Sequence, residues 1–222
     1  GGPAPPGLDV TLLRRDPDAA RWLAATERSV SALSQAPPSL LADREFVLDA
    51  VQVNEQALRF ASADVQGDRQ TVLAAVRLDG RALAHAEPAF RGDREVVLAA
   101  VQNFGCALAF AHEPLRADYA VVRAAVEQDG MALFHAASDL CAHRGVVLAA
   151  VSQCGGALMR AAPALRDDRE VVLTAVSQDG GALEHASARL CSDREVVRRA
   201  VASNGRALAF AAPELCEDPD VA

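Results

Sequence analysis

Five histidines and five cysteines carry most of the reactive capacity of this chain. His85, His135 and His185 recur every 50 residues, a regularity that could align imidazoles for metal ligation or proton transfer. Cys141 and His143 are separated by one residue, which could open a zinc site if Cys154 and a fourth donor came near. Cys191 and Cys216, 25 residues apart, could form a disulfide if their backbones approached closely enough. All of this chemistry requires donors that converge within a few ångströms. Whether they converge depends on the elements that carry them.

Those elements repeat. The stretch Asp93–Ala117, DREVVLAAVQNFGCALAFAHEPLRA, recurs with a 25-residue period from Asp43 to Glu217 without insertion or deletion, giving seven copies. A unit this small cannot bury its own apolar face, so copies must stack on one another. The expected organisation has four parts. Residues 1–17 form a Pro/Gly-rich lead (Gly1–Gly7) and a packing segment (Leu8–Arg15). Residues 18–42 form a degenerate capping repeat, plugged by Trp22 and broken at Pro37-Pro38. Residues 43–217 are the seven repeats, and 218–222 begin a further one.

Within a copy, Asp43, Asp68, Asp93, Asp118, Asp168 or Asp193 precedes an apolar run and is suited to accept hydrogen bonds from first-turn amides. Gly80, Gly105, Gly130, Gly155, Gly180 and Gly205 recur after that run, where a left-handed C-terminal cap is expected. Glu55 stands there in the first copy, so its turn should differ or be strained. A second short helix such as Ala107–Ala111 follows, anchored by Leu58, Leu83, Leu108, Leu133, Leu158, Leu183 and Leu208, and Leu115 and its equivalents fold back toward the next Asp. The fold class is all-α, a solenoid of short helix–turn–helix repeats.

This architecture separates the reactive residues. With helix layers roughly 8–10 Å apart, His85, His135 and His185 stand about 20 Å from one another. Cys154 falls about a helix length from Cys141, and Cys191 and Cys216 are too distant to pair without movement. No phosphate-binding loop, nucleophile elbow, zinc-protease helix or dinucleotide fingerprint is present in the sequence. The reading assigns no catalytic residue, no metal site and no cofactor. It does not describe an enzyme, and it offers no small-molecule substrate.

Composition narrows the partners. The formal charge of -8 argues against a nucleic-acid role, although all 22 basic residues are Arg. No run approaches the roughly 18 to 20 apolar residues of a membrane span. An odd cysteine number at low density fits reducing or neutral surroundings. No signal peptide is visible and the chain begins without Met, so a processed form or a fragment is expected, soluble and not secreted, in an undefined intracellular or organellar compartment.

The pattern DREVVLAAVxxDGxALxxASxxL resembles tandem helical repeats described only as a domain of unknown function in bacterial and protist proteins. The resemblance covers about four fifths of the chain, from Asp43 onward. It implies two short helices per unit and no established chemistry. His143-Arg144-Gly145 in place of Asp-Arg-Glu, Tyr119 in place of Arg, and Glu55 depart from it. Function is then expected where variable positions turn apolar: Phe134 and Met159 at one site in adjacent copies, Met131 beside them, Phe104 and Tyr119, and the pair Val53 and Leu78. The leading expectation is a scaffold or accessory subunit that binds other protein subunits. A targeting module of a longer protein, such as an effector or enzyme, and a nucleic-acid-binding solenoid are the alternatives.

Overall fold

The computed structural model describes residues 17–218. The Gly1–Gly7 lead, the Leu8–Arg15 packing segment and residues 219–222 of the incomplete copy lie outside the described residues. Among the described residues every regular element is helical. Two compact units part between Glu87 and Pro88. The repeat register runs through this point unchanged, which is why the sequence reading places no division there. The second unit opens on a 3-10 turn, Pro88–Gly92, where the other copies carry a turn of α-helix.

In the first unit, ten-residue helices Arg44–Val53 and Arg69–Leu78 follow the helix Pro17–Arg28. In the second, Arg94–Asn103, Tyr119–Gln128, Arg144–Gln153, Arg169–Gln178 and Arg194–Ser203 pack in sequence order. Each is followed by a six-residue 3-10 helix, for instance Gly130–His135, and most of these by a one-turn α-helix such as Ser138–Cys141. A repeat therefore has three helical pieces, where the sequence reading expects two. The fold-back residues Leu115, Leu140, Leu165, Leu190 and Leu215 lie inside the third piece. Four residues carry too little periodicity to announce a helix. Pro at the first or second helical position, as at Pro163 and Pro213, favours its start by fixing φ where no amide partner is needed. In the 18–42 segment, Pro37-Pro38 likewise begins the one-turn helix Pro38–Leu41, and Trp22 is half-buried.

Each ten-residue helix except Arg144–Gln153, which His143 caps, starts on its Asp. Asp93 Oδ1 accepts from the amides of Glu95 at 3.0 Å and Val96 at 3.2 Å. Asp43, Asp118, Asp168 and Asp193 do the same, and Asp68 accepts from the Thr71 amide at 2.9 Å. Four positions of each of these helices, Val96, Val97, Ala100 and Val101 in one copy, are buried against neighbouring layers, except in Arg194–Ser203, where Val201 is half-buried. Leu58, Leu83, Leu108, Leu133, Leu158 and Leu183 seal the core from the 3-10 layer, all fully buried. One backbone hydrogen bond per step joins successive one-turn segments in the second unit, from Ala137 N to Arg116 O at 2.8 Å and from Ala162 N to Cys141 O at 2.9 Å.

The glycines act differently from the expected left-handed caps. The residue before each, such as Asp129 at φ -148 and ψ 115, closes the long helix, and where it is Asp or Asn it also caps the 3-10 helix, Asp129 accepting from the Met131 amide at 2.9 Å. Gly80, Gly105, Gly130, Gly155, Gly180 and Gly205 are thus first residues of 3-10 helices. None of Gly105, Gly130, Gly155, Gly180 and Gly205 has a positive φ of the left-handed kind. What they need is space. A Cβ at Gly105, Gly130, Gly155 or Gly180 would lie closer than 3.0 Å to the carbonyl oxygen of Ala125, Ala150, Ala175 or Ala200 in the next long helix. The same atom at Gly205, beyond which no further helix is described, meets nothing. Glu55 at the equivalent place keeps an ordinary turn, with Asn54 at φ -156 and ψ 120 and its Oδ1 accepting from the Gln56 amide at 3.0 Å. The first copy thus turns as the others do, through a 3-10 helix that requires no left-handed backbone.

Candidate interaction surface

In the second unit the 3-10 helices pack side by side in sequence order. A 3-10 helix brings its side chains into register every three residues. Once the leucine and alanines of each piece face inward, two or three side chains per copy are left pointing outward. Along this face stand Met131 and Phe134, then Met159 and Arg160, then Glu184 and His185, then Arg206 and Phe210. Met159 is 48% exposed and Met131 40%, while Phe134 is half-buried with the Arg160 guanidinium 5.8 Å from its ring centre. Long, unbranched methionines beside an aromatic ring give an apolar surface that adapts its shape. A guanidinium over the ring keeps the patch wet at its edge.

The remaining expected surface residues do not join this patch. Val53 and Leu78 are exposed in the first unit, in a shallow depression of about 230 Å3 shared with Glu55, Asp79 and Arg81. Phe104 is half-buried at the start of the 3-10 helix Gly105–Phe110, where all other copies but one, with Cys154, have Asp or Asn, and its side chain supplies no cap. Tyr119 is exposed at the other end of the repeat, where the long helices begin, and its ring packs on His143 with centroids 5.0 Å apart. Both are large rings at normally polar positions, and sequence alone cannot separate a ring on the shared face from one paired locally.

Sequence reasoning missed Phe210, exposed at the end of the last 3-10 helix described. It also missed a trough of about 710 Å3 lined by Gly156, Asp179, Gly181, Glu184, Arg206 and Phe210 among others. The signal was present in one column: Gln56, Arg81, Cys106, Met131 and Arg206 share a position that is Gly in two consecutive copies, Gly156 and Gly181. Cys141, Cys191 and Cys216 share another repeat position, which Gln66 holds in the first copy. Gln66 Nε2 donates to the carbonyls of Leu58, Arg59 and Ala61 at 3.0–3.1 Å, closing the 3-10 helix. The Cys191 thiol donates to Leu183 O at 3.5 Å from the same place.

Burial shifts three of the thiols and one imidazole. Burial, then the neighbouring Asp129 carboxylate that accepts from it at 3.2 Å, pushes the Cys106 thiol up to about 11. Burial also raises Cys141 and Cys191. Such thiols stay protonated near neutrality, and it is the thiolate that is the nucleophile and the metal ligand. His135 is held below its usual range by burial, then by Arg116 and Arg160. Among the described residues no group of three or more His, Cys, Asp or Glu is placed to hold a metal ion, and no helix is long and apolar enough to cross a membrane.

The repeat family described as a domain of unknown function (DUF4116) matches residues 22–66, 68–116, 93–141, 118–166, 143–189 and 168–216. No curated protein and no solved structure is similar to the chain.

Proposed function

The chain belongs to the DUF4116 family, and from that premise we propose that it is a non-enzymatic scaffold or accessory subunit that binds other proteins through the 3-10 face of its second unit. The observation that carries this reading is the juxtaposition of Met131, Phe134 and Met159 on neighbouring 3-10 helices. Met131 and Met159 there stand exposed although the fold does not need them: the Met159 position holds Ala84, Ala109 and Ala209 in other copies, and the Met131 position holds Gln56, Arg81 and Arg206. Adjacent exposed apolar groups of this size, rimmed by Arg160 and Glu184, are how protein interfaces begin.

The test is affinity purification of the full chain from its native source, beside a variant carrying Phe134→Ser and Met159→Asp, with identification of the proteins retained. The reading expects the variant to melt with the parent chain and to lose one or more co-purifying subunits. Identical sets of retained proteins from a folded variant would remove it.

A further inference from the structure

We infer that the trough between the Gly180–His185 and Gly205–Phe210 helices receives an extended peptide segment, with a basic side chain set against Asp179 and Glu184 and a carboxylate set against Arg206. This rests on reading the 3-10 face as a protein-binding surface and names what it binds. Three observations lead there. The first is the floor. Gly156 and Gly181 leave main chain uncovered where other copies project Gln, Arg, Cys or Met, so a partner's backbone can approach closely.

The second is charge left without partners. Among the described residues, exposed Glu184 takes part in no hydrogen bond or ion pair. Asp179 accepts the Gly181 amide with Oδ1 at 2.9 Å, which leaves its other oxygen available. Arg206 follows Asn204, a neutral cap, and its guanidinium has no ion-pair partner among the described residues. Arg81 shows what the same position does beside an acidic cap: its guanidinium closes on Asp79 at 2.7 Å. The substitution of Asn for Asp therefore frees one cation in the trough, one repeat away from two carboxylates.

The third is dimension. Neighbouring helices stand roughly 8–10 Å apart, and an extended chain advances about 3.3 Å per residue. A peptide crossing them with its basic and acidic groups two or four positions apart sets both on the face toward the trough, and an aliphatic side chain on that same face falls on Ala209 and Phe210. Main-chain approach supplies affinity, and the alternating charges set the direction in which the segment lies.

The probe is a library of linear dodecapeptides displayed on phage, panned on the full chain. Enriched sequences are then synthesised with a fluorescein label and titrated by anisotropy against the parent chain, Glu184→Arg, Arg206→Glu, and the double reversal. Enriched peptides should carry Lys or Arg two or four positions from Asp or Glu, with an apolar residue nearby on the same face. Either single reversal should weaken binding by about tenfold or more, since like charges then face each other across the groove. The double reversal should prefer peptides with the charge order inverted. Milder Glu184→Gln and Arg206→Gln changes replace any reversal that alters the melting curve. No enrichment, or binding indifferent to both positions, would overturn the proposal. If that occurs while Phe134→Ser with Met159→Asp still releases a native subunit, the surface stands and only its assigned ligand fails.

Discussion

The phenol ring of Tyr119 lies 5.0 Å from the imidazole of His143, tilted by 58°, at the one step of the second unit where the charge ladder changes character. At the other steps an arginine reaches the capping aspartate of the following copy: Arg94 to Asp118 at 2.9 Å, Arg144 to Asp168 at 2.8 Å, Arg169 to Asp193 at 3.1 Å and Arg194 to Asp218 at 3.0 Å. Tyr119 replaces the arginine and His143 replaces the aspartate of the same rung. His143 keeps the capping duty, with Nδ1 accepting from the Val146 amide at 3.4 Å. Two departures from the repeat, 24 residues apart in sequence, are thus one exchange of an ion pair for a ring pair.

That exchange can be reversed. Tyr119→Arg alone should destabilise the chain by about 0.5 kcal/mol, the low end for an aromatic pair because the ring is exposed. Adding His143→Asp should recover the loss and restore a carboxylate cap. Urea unfolding of the two singles and the double gives the coupling. A Tyr119→Arg variant as stable as the parent would show that the ring contact contributes nothing.

The glycine column offers an internal control. Gly130→Ala should cost about 1–3 kcal/mol or more, since its methyl would be driven into the Ala150 carbonyl. Gly205→Ala, with open space at the same position, should be neutral or stabilise by about 0.4–1 kcal/mol through the unfolded chain. Equal unfolding midpoints for the two variants would mean that the close approach between layers is not what selects glycine.

Much of this was legible beforehand, and what was not has a common cause. The 25-residue period, the capping role of Asp93 and the burial of Leu108 follow from local patterns that repeat in register. The Asp-Gly pairs misled because a helix end and the start of the next helix carry the same residues. Asp129 closes one element and caps another, and Gly130 is small for the sake of a neighbour one copy away. The surface was half legible. Phe134 and Met159 share a repeat position, so they had to be neighbours. Tyr119 and Phe104 entered the same list only because they are large, and their surroundings depend on contacts between copies that a single repeat does not encode.

Acid should act in two windows. His135 is held low by burial and then by Arg116 and Arg160, so the folded chain resists protonation there, and its contribution is lost as pH falls below about 6.5 toward the lower folded value. Asp118 and Asp168 are held low chiefly by Arg94 and Arg144, so their contribution persists above about 3.9 and is lost as pH falls through their folded values. His135→Phe, the residue found at Phe110 and Phe210, should flatten the upper window and leave the lower one. Urea midpoints measured across the acid range decide this. An unchanged upper slope in the variant would clear His135 of any part in it.

The proposed binding face is tested most directly by photo-crosslinking. A photoreactive residue placed singly at positions 131 and 159, on the 3-10 face, is compared with one at positions 102 and 153, exposed on the long helices. Irradiation in the native cell extract should join the same subunit to positions 131 and 159 and leave it unjoined at 102 and 153. Equal crosslinking from both faces, or crosslinking from the long helices alone, would contradict the assignment of the interface to Met131, Phe134 and Met159.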